Sequence, residues 1–405
     1  MAVRPPSSPP PKPNPLVRSV LPPPIPVAKG WLADYDGARG AAVDLSQAVP
    51  GDPPPEALSR RLAGEGAGAE AARYGPILGD DALRAAYAEE SSRFYGACVE
   101  AADVAITAGC NQAFFVAAMA VAKAGDSILL PTPWYFNHQM TLDLLGIEAR
   151  PLETTAENGF VPDAASAEAL IDETTRALVL VSPNNPTGAI YPPETIRALF
   201  DLCRRRGLYL ILDETYRDFV GRAAPHGLFA EPDWREHLIG LYSFSKSFAI
   251  PGYRLGAMTA GPALLSAAET ILDCMQICAP RPPQVALAPS IAECADWRAE
   301  KTRAVLDKAD RFRAAMAARP DWRIRQMGAY FAFLEHPFPG RSDVEVAKAL
   351  AARLGLLVLP GSFFGPGQSR FLRVAFANVD AAGLERFADR LSEADTLFSD
   401  ERMMA

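Results

Sequence analysis

Lys246 follows an apolar run within the stretch LYSFSKSFAIPGYRLGA at residues 241–257. Ser243 and Ser245 precede the lysine, and Arg254 follows it by eight residues. Two hydroxyls and a guanidinium suit a dianionic phosphate, and a lysine amine beside them is a nucleophile. The spacing therefore predicts a phosphate site with a reactive amine at its edge.

Three other apolar runs end in groups that could complement this amine. LYLILDETY ends at Asp213, with Tyr216 three residues later, and a carboxylate at the mouth of a buried strand requires a cationic partner. Capping of a helix is the alternative role for this aspartate. LVLVSPNNPTG delivers Asn185, in a sequence that is also common in plain turns. ILLPTP delivers Tyr135 and then His138, aromatic rings that could equally belong to an ordinary core.

A strand-to-helix turn supplies a second candidate phosphate contact. The run AITAG is followed by Gly109, Cys110 and Asn111 and then by a helix-like stretch, whose first N–H groups are free to bind an anion. Many α/β turns share this appearance.

The candidate groups together indicate pyridoxal phosphate. This cofactor needs a lysine and an acidic partner for its ring nitrogen, and the sequence offers both, with a phosphate site and an aromatic ring beside them.

The elements that must position these groups alternate between helical patterns and short apolar runs from about residue 75 onward. This alternation is typical of a mostly parallel, doubly wound sheet with helices on both faces, and ligands bind such sheets at the carboxyl ends of the strands. After about residue 290 the pattern changes to a long charged helix followed by mixed strands and helices. We expect an α/β fold with a smaller α+β domain.

The domain boundaries follow from these changes of pattern. Eleven of the first 26 residues are proline, so residues 1–30 are expected to form an arm of extended polyproline II. Residues 31–50 are expected to join the small domain, 51–290 to form the large cofactor-binding domain and 291–405 the rest of the small domain. GEGAGA, at 64–69, resembles a dinucleotide-binding motif, but it follows a helix-like stretch where that motif requires a strand.

Composition excludes several classes of partner. The net charge of −8 argues against a nucleic-acid partner, and no apolar stretch approaches the roughly 20 residues of a membrane span. Six cysteines without CxxC spacing and the lack of an apolar leader indicate a reducing cytoplasm. Cys274 and Cys278 lie one helical turn apart, but without a nearby histidine they predict buried thiols and no metal site.

Five segments resemble motifs of the fold-type I pyridoxal-phosphate aminotransferases, the class I/II aminotransferase family. They are SFSKSFAIPGYRLG, SPNNPTG, DETY, FLRVAFAN and RYGPILGDDALRAAYAEE, and the resemblance covers nearly everything after residue 40. It implies an L-amino acid and a 2-oxo acid as substrates of a ping-pong transamination. It also implies a homodimer with active sites at the subunit interface.

The resemblance also assigns roles to individual residues. Lys246 should form the internal aldimine and move the α-proton, and Asp213 should pair with the pyridine nitrogen. Tyr216 and Asn185 should contact the phenolic oxygen of the ring, and Tyr135 should stack on the ring. The remaining residues bind phosphate or the substrate carboxylate: Cys110, Asn111, Ser243, Ser245, Arg254 and the partner's Tyr74 for phosphate, and Arg373 and the backbone of Ala48 for the carboxylate.

One departure from the family pattern concerns the substrate side chain. CAPRPPQVALA resembles the segment that supplies a side-chain-binding arginine in dicarboxylate-specific members, but no arginine follows Pro283. Arg281 precedes it and could substitute or lie on the surface. An apolar or aromatic substrate side chain is favoured over aspartate.

The same site residues allow two other functions. They would serve a C–S β-lyase or an aminocyclopropane-carboxylate-synthase-like lyase, and a non-catalytic effector-sensing domain is a further alternative.

Overall fold

The computed structural model describes residues 12–64, 68–221 and 224–398. The first eleven residues of the proline-rich segment and residues 65–67 of GEGAGA lie outside the described part of the chain. The α-helices are α1 Pro15–Ser19, α2 Pro24–Gly30, α3 Glu56–Gly64, α4 Asp81–Tyr95, α5 Cys110–Val121, α6 Phe136–Leu145, α7 Ala164–Leu170, α8 Pro193–Arg206, α9 Trp234–His237, α10 Phe244–Ser247, α11 Pro262–Gln276, α12 Arg281–Glu293, α13 Ala295–Met316, α14 Asp343–Leu354 and α15 Ala381–Leu391. The strands are β1 Val43–Asp44, β2 Val104–Thr107, β3 Ser127–Thr132, β4 Glu148–Glu153, β5 Thr175–Val181, β6 Tyr209–Asp213, β7 Leu238–Ser243, β8 Gly256–Thr259, β9 Arg323–Gly328, β10 Phe331–Glu335, β11 Leu356–Leu357, β12 Leu359–Pro360 and β13 Phe371–Val374.

Seven strands form the central sheet, in the order β2-β8-β7-β6-β5-β3-β4. Strand β8 is antiparallel to both of its neighbours, and the other pairings are parallel. The predicted α/β fold with a mostly parallel sheet is confirmed. Sequence analysis missed the edge strand β4, whose polar sequence EARPLE lacks the continuous apolar run of a doubly covered strand.

Helices cover both faces of this sheet because the central strands are apolar on both sides. On one face α4, α8 and α12 contribute to a large buried cluster, and on the other α5, α6 and α11 form a second. Strands β2, β3 and β7 are buried along their whole length. Burying each leucine or isoleucine stabilises the fold by about 1.5–3 kcal/mol, so the strand ends are held on a rigid base.

A second core lies around a four-stranded antiparallel sheet of order β12-β13-β10-β9. Helices α13, α14 and α15 contribute to it, and so do Val43, Leu45 and Ala48 from the N-terminal part of the chain. Strand β1 pairs in parallel with β11, which ties residues 43–44 to 356–357. The chain therefore visits this core near both of its ends. The domain boundaries given above stay predictions.

The proline-rich segment is not extended throughout, and this expectation was wrong for the helical residues Pro15–Ser19 and Pro24–Gly30. Helices α1 and α2 each begin at a proline. A first-turn proline costs no hydrogen bond, because the N–H groups there have no partner within the helix. Helix α2 also buries Pro24 and Ala28. Among the described residues, no helix is both long and apolar enough to cross a membrane.

Candidate active site

The carboxyl ends of the central strands open into one cavity of about 370 Å³. Val181 at the end of β5 pairs with Asp213 at the end of β6, and Asp213 pairs with Leu241 of β7. The cavity gathers twelve of the predicted site residues, which are Ala48, Cys110, Asn111, Tyr135, Asn185, Asp213, Tyr216, Ser243, Ser245, Lys246, Arg254 and Arg373.

Lys246 lies on α10, a single helical turn that directly follows β7. Ser243 caps this turn by accepting a hydrogen bond from the N–H of Ser245, at 3.3 Å. The Nζ of Lys246 donates to the carbonyl of Ala48, a residue of the second core. Burial, together with the nearby guanidinium groups of Arg373 and Arg254, lowers the pKa of Lys246 to about 8. The amine is therefore far more nucleophilic near neutral pH than an ordinary lysine.

Asp213 is 4% exposed and is held by hydrogen bonds from two sides. One carboxylate oxygen accepts from the N–H and the hydroxyl of Thr215, at 2.9 and 2.7 Å. The other lies 3.2 Å from Nε2 of His138, which follows β3. Burial raises the pKa of Asp213, but the hydrogen bonds and charge of His138 and the bonds from Thr215 outweigh burial and leave the pKa below its ordinary value. The carboxylate stays ionised, and its bond to Thr215 is a local turn rather than a helix cap.

The predicted phosphate contacts meet where α5 begins. Gly109 precedes α5 with φ of 88°, and a Cβ on it would lie 2.3 Å from Nη2 of Arg254. Only glycine allows the arginine to approach the start of α5 so closely. Arg254 itself has φ of 56° and donates to the carbonyl of Pro251 at 2.9 Å. Free N–H groups at Cys110 and Asn111 and the guanidinium thus lie at one end of the cavity, and the same arrangement suits an anion.

Arg373 projects from β13 and is 1% exposed. Its Nη1 donates to Oδ1 of Asn185 at 3.1 Å, and its Nη2 donates to the carbonyl of Ser46. Its Nε has no hydrogen-bond partner within the described part of the chain. Burial lowers the pKa of Arg373 to about 10, although the nearby hydroxyls of Tyr216 and Tyr135 oppose this. A buried guanidinium with an unused donor is well suited to a carboxylate ligand.

The two site tyrosines frame the same cavity. The hydroxyl of Tyr135 lies 3.4 Å from Oδ1 of Asn111, and burial raises the pKa of Tyr135 to about 12. Burial and the neighbouring Tyr135 raise the pKa of Tyr216 well above its ordinary value. The ring of Tyr216 packs edge-on against Phe331, with centroids 5.1 Å apart. Both phenols are therefore neutral hydrogen-bond donors at physiological pH.

Tyr74 and Arg281 lie away from this cavity. Tyr74 does not line it, and the residue is 78% exposed. Arg281 begins α12 and forms an ion pair with Asp80, with Nε 3.0 Å from Oδ1. Arg281 is therefore anchored to its own chain.

The sequence did not predict the role of His138 or several residues of the cavity lining. His138 does not line the cavity, but it contacts Asp213, and its position after β3 could have suggested that contact. Ile25, from the proline-rich arm, lines the cavity and carried no chemical signal. The others are Gln47, Val49, Phe136, Asn137, Val181, Thr215 and Pro251. In the described residues no group of three His, Cys, Asp or Glu side chains could hold a metal ion, and all six cysteines are free. The prediction that Cys274 and Cys278 are buried was wrong, since Cys274 is exposed and Cys278 is half-buried.

Comparison with known proteins identifies the class to which this fold and cavity belong. Residues 42–391 match the model of the family Aminotransferase class I and II. The chain is similar to aspartate aminotransferase of Thermus thermophilus, with a TM-score of 0.86 and 24% sequence identity over 95% of this chain and 99% of that one. A Pyrococcus structure has a TM-score of 0.87 and 22% identity over 96% and 98% of the two chains.

Curated relatives agree with this class. An arginine–pyruvate transaminase of Pseudomonas aeruginosa is 30% identical over 302 residues, 74% of this chain and 77% of the relative. An aromatic aminotransferase of Arabidopsis thaliana is 29% identical, over 71% of this chain and 73% of that protein. An aspartate/prephenate aminotransferase of Thermus thermophilus is 29% identical, over 88% and 93%. The chain belongs to the class I and II aminotransferase family, and it is a pyridoxal-phosphate-dependent transaminase, as the sequence motifs predicted.

Proposed function

We propose that the cavity holds pyridoxal phosphate on Lys246 and takes an L-amino acid and a 2-oxo acid in turn, with Arg373 binding their α-carboxylate. The observation that carries this proposal is the placement of a partly buried amine and a buried carboxylate in one cavity, on the adjacent strands β7 and β6. These are the two groups that the cofactor requires from a protein.

The charges of the cavity fit this cofactor and its substrate. Lys246, Arg254 and Arg373 are the cationic residues of the lining described above, and Asp213 is its acidic residue. An excess of positive charge favours two anions, a phosphate and a carboxylate. Arg254, Ser243, Ser245 and the N-terminus of α5 would hold the phosphate, since they lie at one end of the cavity. Arg373, with its unused Nε, would hold the carboxylate at the other.

Lys246 is also suited to move a proton. When bound, pyridoxal phosphate supplies an electron sink for the bonds at the substrate α-carbon. The amine of Lys246, with its pKa lowered to about 8, can accept and return a proton at that carbon near neutral pH. Asp213 stays ionised beside His138 and would keep the ring nitrogen protonated. Tyr216 and Asn185 are placed to donate to the ring oxygen, Asn185 through the amide nitrogen that Arg373 leaves free.

The transaminase reaction is favoured over elimination by the names of the relatives, all of which are aminotransferases or transaminases. The substrates in those names differ, so they do not select one for this chain. A non-catalytic sensing role is disfavoured because lysine, aspartate and arginine all face the same cavity.

We also propose a homodimer and a cytoplasmic location. The exposed side chain of Tyr74 supports the first, because a phosphate-binding role for it requires a second subunit. The free cysteines are compatible with a reducing compartment. Sedimentation of the holoenzyme tests the dimer, and a monomer with full activity would contradict it.

Borohydride reduction of the loaded protein, followed by peptide mapping, tests the cofactor assignment. The label should appear on the peptide that contains Lys246 and disappear in Lys246→Ala. Lys301→Ala is the matched control, since Lys301 lies nearby but pairs with Asp52 at 3.2 Å, and it should retain the label. A label on another lysine would overturn the assignment. In a single turnover, transamination should convert the cofactor to pyridoxamine phosphate and release the matching 2-oxo acid without ammonia. A lyase reaction would instead release ammonia and leave the cofactor as pyridoxal phosphate.

A further inference from the structure

A continuous aromatic wall links the carboxylate-binding arginine to the tyrosine at the cofactor position. The guanidinium carbon of Arg373 lies 5.0 Å from the ring centre of Phe364. Phe364 packs against Phe136 with ring centres 5.3 Å apart, and Phe136 against Tyr135 at 5.2 Å. Tyr135 and Phe136 line the cavity, and the buried Phe364 supports them from behind. A substrate with its carboxylate on Arg373 and its α-carbon near Lys246 would therefore carry its side chain beside Phe136.

Ile25 extends the wall from the opposite end of the sequence. It lies in α2, lines the cavity and packs against the same apolar cluster as Phe136 and Phe364. Helix α2 is fixed there because Ala28 is a buried member of that cluster. The N-terminal segment therefore contributes an aliphatic side chain to the cavity.

The charged groups of the cavity are already used by the proposed cofactor and the α-carboxylate. Beyond Lys246, Arg254 and Arg373, the cavity lining formed by the described residues contains no further cation, and beyond Asp213 it contains no further carboxylate. Arg281, the substitute considered for a side-chain-binding arginine, pairs with the buried Asp80. A second carboxylate on the substrate would meet the aromatic wall without a cation from the same subunit, and burying an unpaired charge there is strongly unfavourable.

We propose that this transaminase selects amino acids with an uncharged, apolar side chain, branched or aromatic, and that Ile25 is a specificity-determining residue. This inference rests on the proposed function, since it places the substrate between Arg373 and Lys246. Apolar contact with Ile25 and Phe136 favours such side chains, and the lack of a matching charge in the same subunit disfavours aspartate, glutamate and arginine as substrates.

The test uses the holoenzyme and follows conversion of pyridoxal phosphate to pyridoxamine phosphate in single turnovers. Leucine and phenylalanine should react with a second-order rate constant about 100-fold above that of aspartate, glutamate or arginine. If any charged amino acid reacts as fast as leucine, the specificity inference is wrong while the transaminase function stands. If none of the amino acids converts the cofactor, the proposed function itself fails.

Substitution at Ile25 tests the role of the residue. Ile25→Arg should lower the rate constant for leucine and raise that for aspartate, so that their ratio falls by about 100-fold or more. Val27→Arg is the matched control, because Val27 lies on the same helix with 39% exposure and does not line the cavity. It should leave the ratio unchanged. An equal effect of both variants, or an unchanged ratio in Ile25→Arg, would contradict the assignment.

Discussion

His138 and Asp213 form a buried pair, with Nε2 of the histidine 3.2 Å from Oδ2 of the carboxylate. His138 follows β3 in the chain, and Asp213 is the last residue of β6. In the sheet, β5 lies between these two strands. His138 stacks on Phe114 with ring centres 3.8 Å apart, and this packing fixes the orientation of the histidine ring that contacts Asp213. The histidine thus orients the carboxylate and keeps it ionised within an apolar sheet.

Asp213→Asn should separate cofactor binding from turnover. The amide keeps the size of the side chain and a hydrogen-bond acceptor for Thr215, so we expect the cofactor to be retained. It cannot stabilise a protonated ring nitrogen, so kcat should fall by at least about 100-fold. Absorbance of the bound cofactor and steady-state kinetics provide the measurements. Near-normal kcat in a cofactor-loaded variant would refute the role of Asp213.

His138→Phe should have a smaller effect through the same acid. The phenylalanine ring preserves stacking on Phe114, but it removes the hydrogen bond, and the pKa of Asp213 should rise. Losing a hydrogen bond to a charged group costs about 1.5 kcal/mol or more, which corresponds to roughly a 10-fold loss in kcat. Adding His138→Phe to Asp213→Asn should cause little further loss, because both act through one carboxylate. Additive losses would show that His138 acts elsewhere.

Arg373→Ala should mainly weaken substrate binding. It removes a bidentate donor for the α-carboxylate, so we expect kcat/KM to fall by about 100-fold, largely through KM. Arg373→Lys should recover only part of this loss, since an ammonium lacks the planar fork. An unchanged KM in Arg373→Ala would place the carboxylate elsewhere. If both variants melt at the same temperature as the wild-type protein, a folding defect is excluded as the cause.

The sequence predicted most of this site because the chemistry lies at strand ends. Asp213 and Lys246 each follow a continuous apolar run, and neighbouring parallel strands bring such ends together. Arg373, by contrast, was placed by resemblance to a family motif. Its contact with the carbonyl of Ser46 spans 327 positions in the chain, and a backbone carbonyl leaves no signature in the residue types.

The N-terminal segment shows where sequence reasoning was insufficient. Its proline content favoured an extended arm, yet α2 is helical and brings Ile25 to the cavity. The helix is stabilised by burying Ala28 in a cluster whose other fully buried members lie beyond residue 130. Such tertiary burial overrides local propensity, and a composition count cannot detect it.

The pKa of Lys246 gives a pH-dependent prediction for the cofactor-free protein. Only the neutral amine reacts with an aldehyde, so the rate of association with pyridoxal phosphate should rise with pH, with a midpoint near 8. An ordinary lysine would give a midpoint near 10.4. Burial is the main cause of the lowered pKa and Arg373 the next, so Arg373→Leu should move the midpoint upward. A wild-type midpoint above 10 would contradict the proposed environment.

The lowered pKa of Lys246 also makes the free energy of unfolding depend on pH. The pKa is lower in the folded protein than in the unfolded chain, so the unfolded chain binds the extra proton and stability falls as pH decreases from about 10.5 to 8. In the cofactor-free protein at pH 7, Lys246→Met should therefore raise the free energy of unfolding, by on the order of 3 kcal/mol. Denaturant titration at pH 7 tests this. A destabilised variant would show that the bond to Ala48 outweighs the cost of burying the amine.

Arg217 and Glu214 face away from the cavity and should be important for stability. Arg217 is 4% exposed, lies 4.2 Å from the ring centre of Tyr242 and donates to the hydroxyl of Tyr95 at 3.2 Å. That hydroxyl donates to Glu214 at 2.5 Å. Burial raises the pKa of Glu214, but His226, Arg217 and Tyr95 outweigh it and keep the pKa below the ordinary value.

Arg217→Met should lower the free energy of unfolding by about 1.5–3 kcal/mol, because it removes the charged hydrogen bond to Tyr95 and the positive charge near the buried Glu214 carboxylate, which keeps His226 at 3.3 Å. Adding Glu214→Gln should recover part of this loss, since the uncompensated charge is then removed. Arg197→Met is the matched control: its ion pair with Glu231 at 2.6 Å is solvent-exposed on the arginine side, so the loss should stay below about 1 kcal/mol. Equal losses in Arg217→Met and Arg197→Met would show that the buried network contributes no more than a surface ion pair.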